Sequence, residues 1–410
     1  LCLILFIGFL RFSLTGFLLL FGAEPGNPIF ELMRLDANHW LLGHSLAVLG
    51  LLGVVVGWFF PARMPRFIRI LGGLRTRLSG AVIYAGSAGM LLGFLALIIF
   101  VWSNAGGVEV IYTGTFRQTE IRAGTGKFFH FSLLLIASSV VVSAYLIRTN
   151  RSWRVALLPV TIAMIVFWVL GGRVRSFAPL AAGSILLWYR RSALKVSFKT
   201  LLIGVSMVPV LVLFLFAGQV YRGGSGIKGI VEELSITALL EYVQYSVWVD
   251  LGQLHSLAGA AALGPGLLGG QTFSYNLLWP LSDFLNLPGR SGGVLIVEEL
   301  IGFIDSRWGF HTTLIGDAYL NFGTLGVFVV TVIFGMILRI LYAEFRRGRV
   351  DPAYYSLALI YSIRIFFESI EKFGEGLVVL VFAFCVIKLS QTLFNIGPDR
   401  DWASPRFSPL

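Results

Sequence analysis

The feature that most constrains this chain is a series of apolar segments, most of about 20 residues, each long enough, with tilt or partial insertion, to be a membrane helix. They fall at 1–22, 39–60, 80–102, 128–147, 155–171, 177–189, 200–218, 312–341, 354–370 and 377–396 of the 410 residues. Hydrophobic residues make up 57% of the chain and charged residues 13%, with a mean hydropathy of +0.83. A soluble globule could not bury that much apolar surface. Short strands of alternating polarity, the mark of an outer-membrane barrel, are missing from the pattern. The expected fold is therefore all-α, a polytopic membrane bundle of about ten spans.

The net charge of +11 is strongly clustered. Arg63, Arg66, Arg69, Arg75 and Arg77 share one connection, Arg148, Arg151 and Arg154 a second, Arg190, Arg191, Lys195 and Lys199 a third, and Arg346, Arg347 and Arg349 a fourth. These are alternate connections, so the positive-inside rule accounts for them and nucleic acid is not an expected ligand. Both termini are then cytoplasmic, and the acidic connector "GAEPGNPIFELMRLDAN" faces outward. Cys2 and Cys385 both lie in apolar runs, which leaves neither a disulfide framework nor a thiolate zinc site. The first run begins with Leu and is followed by no clear small-residue cleavage site, and it reads as a spanning helix rather than a removable signal.

Four regions follow: membrane helices over 1–218, an outer connection over 219–311, membrane helices over 312–396, and a cytoplasmic tail over 397–410. The outer connection is far longer than a structureless loop should be. Within it, "ELSITALLEYVQYSVWVDLGQLHSLAGAA" has helical spacing and aromatics suited to an interfacial helix. The following "LGPGLLGGQTFSYNLLWPLSDFLNLPGRSGG" is broken into turns by Gly and Pro. No internal repeat is present, which weakens a transporter reading.

With this topology, polar residues rare in membrane helices gather on the outer side. Arg117, Glu120 and Arg122 lie in one outer loop, Arg173 and Arg175 in a tight outer turn, and Arg222 just past a span. His255, Arg290, Glu298, Glu299, Asp305, Arg307 and His311 belong to the long connection, and Arg364, Glu368 and Lys372 close the ninth span. Burying an ionisable group in a membrane costs about 2.5–3.5 kcal/mol on insertion scales, so function is the default hypothesis. Bland alternatives stay open. Arg364 and Glu368 stand four apart and could simply neutralise one another. Arg117 and Arg122 could be solvated loop residues, and His255 a satisfied loop histidine.

The stretch "GFHTTLIGDAYLNFGTLGVFVV" concentrates the question. Thr313, Asp317, Asn321 and Thr324 recur at helical spacing in one stripe of an otherwise apolar helix. Gly316, Gly323 and Gly326 would admit a neighbouring helix closely, so packing alone is a rival explanation of the stripe. Packing does not require a carboxylate, however. Arginine forks match phosphate oxygens bidentately and keep their charge, which suits a lipid-linked diphosphate leaving group. A carboxylate or imidazole can take the proton of a sugar hydroxyl as general base. Together these point to glycosyl transfer from a lipid diphosphate, whose bond is already activated. Glu31 and Asp36, two of the acids of the first outer loop, stand too far apart in sequence for the paired-acid metal signature. Metal independence is expected, with arginines stabilising the leaving group.

The run "GDAYLNFGTLGV" resembles the Glu-x-Tyr-x-Asn-Phe-Gly-x-x-Gly segment of bacterial oligosaccharide repeat unit polymerases, the Wzy-type O-antigen and exopolysaccharide polymerases. The run "GGRVRSFAPLAAGSILLWYRR" is similar to their arginine turn, short apolar span and basic stop. The resemblance implies a C-type glycosyltransferase of the bacterial inner membrane. It would join undecaprenyl-diphosphate-linked oligosaccharides, donor to acceptor, on the outer face, among membrane lipids and alongside a flippase and a chain-length regulator, with no cofactor. It places Asp317 at the family's acid, with Tyr319 and Asn321 beside it, and gives diphosphate binding to Arg173 or Arg175 and to Arg222. The family has Glu where this chain has Asp317, which shortens the reach by one methylene. The family's Pro-Arg becomes Pro280 then Leu281 here, leaving Arg290 for the cation's place. The catalytic set expected is thus Asp317, His311, Arg173, Arg175 and Arg222. Arg117, Arg122, Arg290, Tyr319, Asn321 and Arg364 are expected to bind substrate. An O-antigen ligase and a lipid-linked glycan flippase or exporter are the rival readings.

Overall fold

The computed structural model describes residues 1, 4–5, 7–9, 11–12, 33–60, 80–105, 126–149, 151–170, 178–179, 181–183, 185–186, 213, 216–217, 235, 237–240, 254–277, 292–302, 311–370 and 372–393. Among them every element is helical. The helices are α1 (Ala37–Phe59), α2 (Ala81–Ala105), α3 (Gly126–Arg148), α4 (Trp153–Leu170), α5 (Leu254–Leu263), α6 (Gln271–Leu277), α7 (Gly292–Ile296), α8 (Thr313–Arg346), α9 (Pro352–Phe367) and α10 (Lys372–Leu393). A π-helical turn, Val297–Ile301, continues α7. Five helices, α1, α2, α3, α8 and α10, are long and apolar enough to cross a membrane. The predicted spans at 1–22, 177–189 and 200–218 and the tail 397–410 lie largely or wholly outside the described residues.

Neighbouring helices fix one another's direction. Gly86, Gly89 and Gly93 of α2 face Val142, Ser138 and Leu135 of α3 in descending order, so this pair is antiparallel. Gly50, Gly53 and Gly57 of α1 meet Ile315, Thr331 and Val332 of α8 in ascending order, so this pair is parallel. Arg148 at the end of α3 pairs at 3.1 Å with Asp351, the N-cap of α9. The bundle thus has two chemically distinct ends. The Asp317 end gathers the starts of α1, α3, α8 and α10. The Asp351 end gathers Arg148, Arg151, Arg154, Arg346, Arg347 and Arg349, the described members of two of the basic clusters.

The interior is divided in two. One apolar cluster fills the space between α2, α3, α4, α9 and α10, through Phe100, Ile136, Val141, Phe167 and Val379. The other lies between α1, α5, α7 and α8, through Leu46, Leu257, Ile296, Ile315 and Val327, and Phe366 and Phe367 at the end of α9 extend it. The helix α9 joins both, and Phe373 at the start of α10 also packs against the second. The faces left over are apolar and exposed, as in Leu52 of α1, Leu92 of α2, Leu158 of α4 and Ile337 of α8.

Two expectations are corrected here. Within the expected interfacial helix the described residues Thr237 and Leu240 are exposed, but its last part, α5, does not lie on a surface: Leu254 through Ala261 are all buried. Its Gly- and Ala-rich sequence lets the backbone come within reach of Gly43 of α1, where a Cβ would stand 2.8 Å from the Ala258 amide nitrogen. The eighth span is not one continuous rod. Gly323 has φ 70° and ψ −166°, which divides α8 in two. Gly323 therefore serves as a break, with Pro265 beside it, and Gly316 is the glycine set against a neighbouring helix, through Leu257 and Ala260. The break also ends the polar stripe: Asn321 is buried, whereas Thr324 is exposed.

The α1–α8 seam yields a test. A Cβ on Gly57 would lie 2.0 Å from the Val332 carbonyl oxygen, a backbone atom that cannot move without moving α8. Gly57→Ala should lower stability by about 1–3 kcal/mol. Leu52→Ala, on the exposed side of the same helix, should change it by no more than about 0.5 kcal/mol. Thermal melting of the two variants in one detergent compares them.

Candidate functional site

The first turn of α8 is built from unusual backbone. Thr313 has φ +63°, a left-handed conformation that a β-branched residue adopts only under constraint. That constraint is visible in its bonds. The Thr313 amide donates to the Glu368 carbonyl at 2.8 Å, tying the start of α8 to the α9–α10 turn. The Thr313 hydroxyl accepts from the Gly316 amide at 3.1 Å and so caps the helix from inside.

Asp317 sits one turn further on and is fully buried. Its Oδ1 accepts from the Thr312 hydroxyl at 2.6 Å, and its Oδ2 accepts from the Ile370 amide at 3.0 Å. Gly292, the first residue of α7, presses on the same group, where a Cβ would be 3.0 Å from Oδ1 and equally close to Leu320 and Thr312. Three stretches far apart in sequence thus meet at one carboxyl. Asn321 continues the link: its Nδ2 donates to the Asp317 carbonyl at 2.7 Å, and its Oδ1 accepts from the Thr272 amide at 3.3 Å. Tyr319 is buried in the same cluster.

The break at Gly323 completes this arrangement. In an unbroken helix the carbonyls of Tyr319 and Leu320 would pair with the amides of Gly323 and Thr324. Here they accept from Gly266 at 3.1 Å and Leu268 at 2.8 Å. Backbone groups at membrane depth must be satisfied within the protein, and the segment 264–272 supplies the donors. Its turns require φ > 0 at Gly264, Gly266, Gly269 and Gly270, which bears out the sequence reading of this stretch as Gly-broken turns. Phe273 packs on Phe322 at the break, with ring centroids 5.2 Å apart.

A second polar group lies alongside. Arg364 is buried, donating through Nε and Nη2 to the two oxygens of Glu368 at 2.9 and 3.0 Å, and through Nη1 to Glu375 at 2.6 Å. The Tyr361 hydroxyl lies 3.5 Å from the same Glu375 oxygen, and its ring lies under the guanidinium at 5.4 Å. His311, which is exposed, and Lys372 are both near enough to act electrostatically on Glu368. The structure therefore brings His311, Asp317, Tyr319, Asn321 and Arg364 to one end. Arg117, Arg122, Arg173, Arg175, Arg222 and Arg290 lie outside the described residues. His255 is buried within α5.

Arg364 engages two glutamates rather than an open space, so of the two sequence readings its role as a neutralising partner is the one drawn in these contacts. Three residues carry the geometry without having been read from the sequence as functional. Glu375 is separated from Arg364 by a turn between helices, and only its identity as an acid in an apolar span could have flagged it. Thr312 and Gly292 carry no signal beyond their neighbourhood. Asp317, Glu368 and Glu375 are set here with Arg364 and Lys372, and Arg11 lies over the ring of Phe367 at 5.3 Å. Among the described residues no group of three His, Cys, Asp or Glu side chains is placed to hold a metal ion. No family model matches the chain, and neither a curated protein nor a solved structure matches it.

The buried triad makes a sharp prediction. Arg364→Met alone leaves two carboxylates buried without their cation and should cost about 3–5 kcal/mol. Replacing Arg364, Glu368 and Glu375 together by Met removes the charge as well as its compensation, and should recover most of that loss. Chemical or thermal unfolding of the single and triple variants in matched micelles measures the difference.

Proposed function

We propose that the chain is a membrane-embedded glycosyltransferase that polymerises undecaprenyl-diphosphate-linked oligosaccharide repeat units on the outer face of a bacterial cytoplasmic membrane. The observation that carries this reading is the gathering of an exposed imidazole, His311, a buried carboxyl, Asp317, and a buried arginine with two glutamates at a single end of a helix bundle. The basic clusters at the opposite end support placing that opposite end in the cytoplasm and this one outside.

In this reading the acceptor hydroxyl attacks the anomeric carbon of the donor glycan as the bond to the diphosphate breaks. His311 takes the hydroxyl proton as general base, because it is the exposed group of the set. Asp317 has both oxygens committed to Thr312 and Ile370, which suits positioning and not proton transfer. The departing lipid diphosphate carries the developing charge. The cations that would meet it are Arg173, Arg175 and Arg222, since Arg364 is already engaged by Glu368 and Glu375. Arg117, Arg122 and Arg290 would bind the glycan phosphates and sugars, with no metal required.

Purified protein given only lipid-linked repeat units should produce a ladder of products, whereas a ligase would produce none. Arg173→Ala, Arg175→Ala or Arg222→Ala should leave single units on the lipid. His311→Gln should slow the ladder by about 10²–10⁴-fold. Long chains formed by all four variants would contradict the assignment.

A specific observation favours a second reading. Discontinuous helices whose breaks are met by irregular backbone are a recurrent device of transporters, and α8 has such a break at Gly323. A lipid-linked glycan exporter would relocate its cargo without changing its length, so product mass analysis separates the two.

A further inference from the structure

The Asp351 end of the bundle carries a charge pattern that the proposed chemistry does not use. The turn between α3 and α4 supplies Arg148, Arg151 and Arg154, and the turn between α8 and α9 supplies Arg346, Arg347 and Arg349. The 3.1 Å pair between Arg148 and Asp351 joins the two turns into one patch. Glu344 holds Arg347 at 2.5 Å and Arg349 at 3.2 Å. The contrast in burial is informative. The Glu344 and Asp351 side chains are 2% and 1% exposed, whereas those of Arg148, Arg347 and Arg349 are 43%, 59% and 49% exposed. Buried carboxylates fix these three guanidinium groups in place while leaving a large part of each facing outward. Among the described residues of these two turns six arginines stand against two acids, a positive surplus.

Its surroundings say what kind of ligand fits. Trp153, half exposed, carries Arg154 over its ring at 5.6 Å. Trp58 stacks on Tyr342 at 5.5 Å and lies under Arg339 at 5.6 Å. Indoles and phenols of this kind sit at the level of lipid headgroups. Immediately beyond Trp153 the exposed residues of α4 turn apolar, through Val155, Leu158, Ile162 and Ile165 at helical spacing. A ligand filling both parts has an anionic group at the arginines and a hydrocarbon body along α4.

We infer that this patch is a binding site for an anionic phospholipid, with its phosphodiester oxygens on the arginine forks and an acyl chain along Val155, Leu158 and Ile162. A fork of N–H donors matches a phosphate bidentately, and a zwitterionic headgroup would bring its own ammonium against the surplus charge. The site is independent of the glycosyltransferase reading and needs only that the bundle sits in a membrane.

The full chain in neutral detergent, titrated with phosphatidylglycerol or phosphatidylcholine and followed by thermal shift and native mass spectrometry, tests this. Phosphatidylglycerol should raise the melting temperature and remain bound, and phosphatidylcholine should do neither. Arg151→Gln, Arg154→Gln and Arg346→Gln keep the Arg148–Asp351, Arg347–Glu344 and Arg349–Glu344 pairs, and each should weaken the effect about fivefold. Equal binding of both lipids, an undiminished effect in the triple variant, or the same stabilisation by glycerol 3-phosphate at equal concentration would overturn the site. Should the triple variant fail to fold, the wild-type chain in about 50 and about 500 mM salt decides. Affinity for phosphatidylglycerol must fall at the higher salt, and an unchanged affinity overturns the proposal.

Discussion

A carboxyl group in the interior of a membrane bundle is tolerable only where donors meet it, and at Asp317 they come from two directions. The Thr312 hydroxyl approaches from the residue that opens α8, and the Ile370 amide approaches from the turn between α9 and α10. Removing either donor would leave a buried polar atom unsatisfied, at a cost of about 1–3 kcal/mol. The arrangement is consequently as much a clasp as a site. It fixes the α9–α10 turn against the start of α8, and that turn begins with Glu368, the partner of Arg364. The Thr313 amide, bonded to the Glu368 carbonyl, fastens the same two pieces a second time and holds Thr313 in its left-handed conformation. His311 stands in the chain just before this clasp, so its position depends on Asp317.

The same economy of donors explains the broken helix. A lipid-embedded helix cannot leave carbonyls bare, so a break becomes affordable only where another segment brings amides to it. Gly266, Leu268 and Thr272 do so in one short stretch, and the glycines between them supply the turns that aim three amides at α8. The described part of the long connection is thus pinned against the bundle, and α5, which belongs to it, is buried between α1 and α8. Through Thr272 and Gly292 the described part of the connection contributes part of the site's wall.

Much of this was legible in the sequence, for identifiable reasons. Long apolar helices are visible because composition over about 20 residues determines them. Asp317 and Asn321 stood out because a polar stripe at helical spacing in an apolar run has few other causes. Arg364 and Glu368 could be matched because four residues make one helical turn. The break at Gly323 was not legible, since a glycine in a membrane helix can serve close packing, a kink or a break, and only its neighbours decide. The burial of α5 was hidden for a related reason. Its small residues fit an interfacial surface less well than a tight interior, but the helices that cover it lie more than 40 residues away on either side, at Ala37–Phe59 and Thr313–Arg346. Glu375 escaped because its partner sits on another helix, where spacing carries no information.

The clasp at Asp317 can be observed directly by amide hydrogen exchange on the full chain in detergent, comparing the wild type with Asp317→Ala. Loss of the acceptor should speed exchange at Ile370 by about tenfold or more, together with its neighbours in the α9–α10 turn, while amides in the middle of α3 keep their protection. If Ile370 exchanges at the same rate in both proteins, or if protection falls evenly through the whole bundle, the carboxyl does not hold the turn and the site it organises is not the one described.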